Sequence, residues 1–380
     1  MRTLIMFTIT DVDVMFKKGN AWYARSYGTY FDKVFVLYII GRRQGIFVKG
    51  NTTLVPLGTG HKILDLIFSP YRIYKFAKKN GPSNFLTADS VFLWWTSFLI
   101  RFLLKAKVYF MPVCMPVEIY KHTKRAMYKM PMFIEKIFVK LSFIIAYRVI
   151  VSRNTPGFIE WLQSLKYVRH KLRVVDMIVE EMPTIEFYES LEQDVYKRSS
   201  GGIVLLYVGR LSHEKKVEDL IKMFDVLQRS GKHQIQLWII GDGPERNLLE
   251  SLAAELKLTD RVKFYGFKKN NELFWYYKNA DIFISPLTGT SLREAALCGL
   301  PVIAYNIDWL KGFLVHEKTA LLVEYGDVHG LVDQVARLLL DKALAAKISA
   351  GLRQCASERW DRNMIAGALA QTFGGRDERS

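Results

Sequence analysis

Short apolar runs alternate with longer amphipathic segments twice along this chain. In the second half the runs are Ile203–Val208, 236–240, 262–265, 282–285 and Val302–Tyr305, and segments 218–229 and 245–256 between them carry helical spacing. In the first half, 3–10, 33–40, 107–111 and Arg148–Ser152 form a similar series. Runs that are β-branched or aromatic on both faces suit strands buried on both sides, and such strands need helical crossovers. The expected class is therefore α/β, with two doubly wound parallel sheets. The polar, turn-rich stretch 193–202 marks the join. This gives domains 1–196 and 197–358, followed by a terminal helix, 359–380.

Charge separates the halves. The 380 residues carry a formal net charge of +17, and residues 1–200 hold 30 basic and 15 acidic side chains. The first half therefore favours anionic partners. Half the residues are hydrophobic, which excludes disorder as the main state. Cys114, Cys298 and Cys355 have neither metal-like nor disulfide-scaffold spacing and fit a reducing compartment, so no metal is expected. The apolar stretch 91–104 is shorter than the roughly 20 residues a membrane span needs. The opening segment lacks a small-residue cleavage site after its apolar run and reads as a first strand.

Three motifs in the second half carry chemistry. VGRLSHEK ends a strand in Gly209 and places Arg210 and Lys215 five residues apart. In open α/β sheets, ligands bind beyond the carboxyl ends of the strands. A guanidinium fork and an ammonium there suit a diphosphate, although solvated loop cations are an equal alternative. IIGDGPE ends the next strand with Gly241 and Gly243, which by themselves need only make the turn. ADIFISP runs through Thr288, Gly289 and Thr290 into a helix from about Ser291. Backbone N–H groups at a helix start can hold phosphate. Glu294 lies near that start, where a capping carboxylate is the ordinary explanation.

In this order, and with VKFYGF between the second and third, the motifs strongly resemble glycosyltransferase family 4 over about 202–373. The resemblance implies the GT-B fold: two Rossmann-like domains facing each other across a cleft. It also implies a nucleotide-diphosphate-sugar co-substrate, retention of anomeric configuration and no required metal or other cofactor. By the resemblance, Arg210 and Lys215 match the diphosphate pair, and Gly209, Gly241 and Gly243 match the turns beside the nucleotide. Phe267 matches the position whose backbone meets the base, and Glu294 matches the ribose carboxylate. Thr288, Gly289, Thr290 and Ser291 match the loop against the donor phosphates and sugar. One position departs. The family's first glutamate would stand eight residues before Glu294, where this chain has Pro286. That leaves either a divergent transferase or a non-catalytic relative. A GT-B epimerase or phosphorylase is a further alternative.

The first half is less specific. Lys17, Lys18 and Gly19 suit a loop at the acceptor side, and His122 is a weak candidate beside them. Trp94 and Trp95 sit in an apolar helical stretch. Lys121, Lys124, Arg125, Lys129, Lys136 and Lys140 form a basic series, much of it within about a 100° arc if 121–140 is one helix. A basic face beside apolar side chains suits an anionic membrane surface. The expectation is a transferase acting on a lipid-linked or glycan acceptor, peripheral on the cytoplasmic membrane face, with no nucleic-acid partner.

Overall fold

The computed structural model describes residues 2–8, 12–13, 27–28, 30–80, 84–87, 90–111, 132–152, 156–175, 202–229, 234–268, 270–287, 291–307, 314–360 and 362–374. The chain divides into two compact units, Met1–Met182 with Arg362–Ser380, and Pro183–Asp361. The division falls at 182 rather than at the 196 expected from composition, and 176–201 lie outside the described residues.

In the first unit the strands are β1 (Thr3–Thr8), β2 (Lys33–Tyr38), β3 (Phe47–Lys49), β4 (Thr52–Pro56), β5 (Asn84–Thr87), β6 (Lys107–Phe110), β7 (Arg148–Ser152) and β8 (Leu172–Val175). They form one sheet in the order β3-β4-β2-β1-β5-β6-β7-β8. Every pairing is parallel except the β3–β4 edge. Leaving aside that edge hairpin, the chain steps outward from β1 in one direction and then restarts at β5 on its other side. Right-handed crossovers place the helices Lys62–Asn80, Ser90–Leu104 and Met132–Ile145 together on one face. Ile73, Ala77 and Ile100 pack there against Phe7, Phe85 and Val108, and Phe143 packs against Phe110 and Val149.

The opposite face receives the helix Arg362–Gly374. Its Leu369 and Phe373 lie in a cluster with Met6, Val36 and Tyr109. The Phe373 ring centroid is 4.4 Å from that of Tyr109 and 5.0 Å from that of Phe31. Buried Arg148 donates from Nη1 to the carbonyls of Gln371 and Thr372, and so caps that helix's last turn.

In the second unit the strands are β9 (Ile203–Val208), β10 (Ile235–Ile240), β11 (Val262–Gly266), β12 (Ile282–Ile284), β13 (Val302–Tyr305) and β14 (Leu321–Val323). All are parallel, in the order β11-β10-β9-β12-β13-β14. The strand order reverses between β9 and β12, which is where a doubly wound sheet opens a crevice for ligand. The helix Val217–Arg229 shows why these segments fold as they do. Val217, Leu220, Ile221, Phe224 and Leu227 form one buried stripe, Glu218 and Asp219 stand in the first turn and Arg229 in the last. Each large side chain buried in this way contributes roughly 1.5–3 kcal/mol. Among the described residues no helix is long and apolar enough to cross a membrane.

Candidate functional site

Strands β9 and β12 pair through Ile282 with Leu205 and Phe283 with Leu206, so their carboxyl ends emerge side by side. After β9 the chain turns through Gly209 and Arg210. Buried Tyr207 donates its hydroxyl to the Arg210 carbonyl at 3.0 Å, which holds the turn from below. The Arg210 side chain is exposed.

A single 3-10 turn, His213–Lys215, follows. The Ser212 hydroxyl donates to Glu214 Oε1 at 2.6 Å, and Lys215 N–H donates to the Ser212 carbonyl at 2.8 Å. Lys216 closes the turn at φ 52°, left-handed backbone that a lysine rarely adopts. Lys215 Nζ donates to the Leu287 carbonyl at 3.2 Å and thereby links the turn after β9 to the loop after β12. Burial pushes the Lys215 ammonium below the ordinary lysine range, with Glu214 acting in the opposite sense. Burial raises the Glu214 carboxyl, but the Ser212 hydroxyl, its own backbone N–H and the Arg210 and Lys215 charges carry it below the ordinary range.

The glycines after β9 and β10 make a seam. A β-carbon on Gly241, at φ +133°, would lie 1.8 Å from the Gly209 carbonyl oxygen, and one on Gly243 would lie 2.1 Å from that of Leu211. Their lack of side chains lets the two turns press together. Gly209 N–H donates to Ile240, Leu211 N–H to Asp242, and Glu245 N–H back to Leu211. Gly241 N–H continues the seam to the Gly266 carbonyl, beside which Phe267 stands exposed.

Glu294 is buried on the seven-residue helix Ser291–Leu297. The Tyr277 hydroxyl donates to its Oε2 at 2.7 Å and so fixes the carboxylate's orientation. Tyr277 was not apparent from sequence, since it reaches this carboxylate from another helix, 17 residues away. Tyr305 is a second such residue. Its hydroxyl donates to Asp219 Oδ2 at 2.7 Å, and Asp219 N–H donates to the Lys216 carbonyl, so the pair backs the turn that carries Lys215. Burial and the Asp219 carboxylate push the Tyr305 hydroxyl far above the ordinary tyrosine range. Pro286 is buried, and its carbonyl accepts from Tyr305 N–H at 3.3 Å.

The site therefore assembles Gly209, Arg210, Lys215, Gly241, Gly243 and Phe267 along the carboxyl ends of β9 to β11, with Ser291 and Glu294 on the helix that follows β12. Thr288, Gly289 and Thr290 lie outside the described residues, as do Lys17, Lys18, Gly19, His122, Lys121, Lys124, Arg125 and Lys129. Trp94 and Trp95 fall in the helix Ser90–Leu104, and Trp95 is half-buried. Of the basic series, Lys136 and an exposed Lys140 fall in the helix Met132–Ile145, and 121–131 lie outside the described residues.

Residues 190–354 match the family described as Glycosyl transferases group 1. This region is similar to group 1 glycosyltransferase domains. Lipopolysaccharide core biosynthesis glycosyltransferase LpsD of Rhizobium meliloti is 33% identical over 175 residues, which is 45% of this chain and 49% of that protein. The alpha-monoglucosyldiacylglycerol synthase of Streptococcus pneumoniae is 34% identical over 145 residues, 37% of this chain and 32% of that one. The chain thus spans half or less of the length of these curated relatives. Among solved structures, sucrose-phosphate synthase of Thermosynechococcus elongatus superposes with a TM-score of 0.78 at 18% identity, covering 98% of both chains. Anabaena HepE, solved in complex with UDP-glucose, superposes at 0.71 with 15% identity, covering 98% of this chain and 100% of that one. These likenesses establish the fold. The two units are the Rossmann-like halves of a GT-B fold.

Proposed function

We propose that the chain is a family 4-like glycosyltransferase that retains anomeric configuration. It moves a sugar from a nucleotide-diphosphate donor to a lipid-linked or glycan acceptor at the cytoplasmic membrane face. The reading is carried by Lys215, which bridges the β9 turn to the β12 loop where the strand order reverses, with Arg210 five residues before it. The UDP and UDP-glucose complexes of HepE and the lipid product named for the pneumococcal relative support the donor and acceptor classes.

In this reading, the bond from the sugar's anomeric carbon to the diphosphate oxygen breaks as the acceptor oxygen bonds to that carbon from the same face, and the acceptor hydroxyl's proton passes to the departing diphosphate oxygen. Negative charge grows on the departing diphosphate, and fixed cations at that place lower the barrier. Arg210 supplies a planar fork and Lys215 a point charge already stripped of much of its water. Side-chain cations fill this role without a metal or other cofactor. Glu294, oriented by Tyr277, accepts from a ribose hydroxyl. No side chain is assigned as a base.

Arg210→Ala and Lys215→Ala are each expected to lower transfer by at least about a hundredfold while the thermal midpoint stays put. Full transfer by both variants would falsify the assignment. Pro286, standing where the family has a glutamate, favours one rival, a non-catalytic donor-binding relative. Calorimetry that shows donor binding without turnover on any of a broad acceptor panel would select that rival.

A further inference from the structure

Three of the helices on one face of the first unit's sheet, Lys62–Asn80, Ser90–Leu104 and Met132–Ile145, share an outer surface of distinct make-up. Among the described residues, ten large apolar side chains stand exposed on them. Ile67, Phe68 and Tyr71 belong to Lys62–Asn80, Phe98 and Phe102 to Ser90–Leu104, and Ile144 to Met132–Ile145. Phe102 is 72% exposed, and its ring stacks on that of Phe98 with centroids 6.3 Å apart. Between the first two helices runs a groove of about 380 Å³, lined by Ile67, Phe68, Tyr71, Trp95 and Leu99 among others. Scattered exposed hydrophobics are ordinary, but a contiguous set on one helical layer marks a surface that something covers.

Charge says what covers it. The same helices expose Lys62, Lys75, Lys78, Lys79, Arg101 and Lys140. Their one acid with a described side chain is Asp65, which is buried and paired with Arg72 at 2.8 Å. No described carboxylate on these three helices therefore offsets the cations at the surface, although the adjoining helix Pro156–Ser164, whose Trp161 ring meets Phe143, exposes Glu160. A protein partner or a second copy of this chain would have to bring a strongly acidic, apolar face. An anionic bilayer offers both properties at once, since its headgroups attract the lysines and its acyl region takes the aromatic and aliphatic tips.

We infer that this three-helix layer docks on an anionic lipid bilayer, with Ile67, Phe68, Tyr71, Phe98 and Phe102 inserted and the surrounding lysines on the headgroups. The inference rests on the proposed membrane-face transferase and names the surface involved. Lys140, from the basic series singled out from sequence, belongs to this layer, and Trp95 lines its groove.

Co-sedimentation of the full chain with vesicles tests it. The chain is expected to pellet with phosphatidylcholine–phosphatidylglycerol vesicles and at least about tenfold less with phosphatidylcholine alone, and salt should weaken the difference. The combined variant Phe68→Ser, Tyr71→Ser, Phe102→Ser should lose at least about tenfold in binding. Its melting midpoint and the thermal shift given by UDP-glucose or GDP-mannose should stay unchanged. In Phe68→Trp, emission should shift blue and be quenched by brominated acyl chains. Indifference of the parent chain to both vesicles would overturn the inference, as would equal binding by the triple variant. So would a concentration-dependent dimer that the triple variant abolishes while vesicle binding persists. Vesicle binding without any donor-induced shift keeps the docking surface and counts against the transferase instead. Donor-dependent transfer without vesicle binding does the reverse.

Discussion

The two units share a strand order and differ in where their chemistry lies. Both sheets step outward from a first strand and then restart on its other side. In the second unit the turns after β9, β10 and β12 are tied to one another by backbone N–H groups, a lysine ammonium and two bare glycines. Its exposed large hydrophobics, such as Leu248, Phe267 and Leu340, are few and separate in sequence. In the first unit the conspicuous surface is the outer side of a helical layer, apolar and basic together. The same topology thus presents a set of tied loops in one unit and an apolar, basic helical face in the other. The fold sets where loops emerge, and the sequence decides which exposed part acquires a function.

The comparison can be broken most forcefully at the seam. Gly241→Ala puts a β-carbon 1.8 Å from a backbone oxygen at left-handed φ, where no flexible side chain can yield. A loss of more than about 4 kcal/mol in urea unfolding of the second unit is expected. A midpoint close to the parent's would mean that the turns are not pressed together as described.

A smaller effect belongs to the first unit. Asp65 is wholly buried and accepts from Thr59 N–H, the Thr59 hydroxyl, Gly60 N–H and Arg72. Asp65→Ala should cost about 3 kcal/mol, because those donors lose their shared acceptor. Burial raises this carboxyl, but Arg72 and Thr59 outweigh it and the folded state titrates below the ordinary range. The stabilisation is therefore complete above the unfolded carboxylate range and is lost as pH falls through the lower folded value. Acid titration of Asp65→Asn should flatten that limb. An unchanged limb would remove Asp65 from the account.

The mildest change sharpens the site. Tyr305→Phe removes the hydroxyl that holds Asp219 and should cost about 2 kcal/mol. It should also raise the donor concentration needed for half-maximal thermal shift, since Asp219 braces the turn carrying Lys215. Donor affinity equal to the parent's would confine Tyr305 to stability.

How much the sequence shows follows the same division. Each of β9 to β13 is a short apolar run bounded by turn residues, so its place could be read directly. Arg210, Lys215 and the glycines follow from those ends. Strands β4, β5 and β8 went unread because they are short and carry polar residues; Thr52, which opens β4, is itself fully buried. β3 is an exposed three-residue edge and β14 is equally short. Tyr277 and Tyr305 act on partners 17 and 86 residues away, and no local pattern encodes such a meeting. Of the apolar helix layer, Lys62–Asn80 escaped because it mixes its exposed isoleucines and aromatics with lysines, and only the packed fold separates inward from outward.

The helix Arg362–Gly374 has a consequence for synthesis. The second unit is one uninterrupted segment, whereas the first unit waits for Leu369 and Phe373 to close its core. On a translating ribosome the segment made later can therefore finish folding before the one made first. In that interval Tyr27, Phe31 and Tyr109 lack the Phe373 ring, and the nascent first unit has most need of a chaperone.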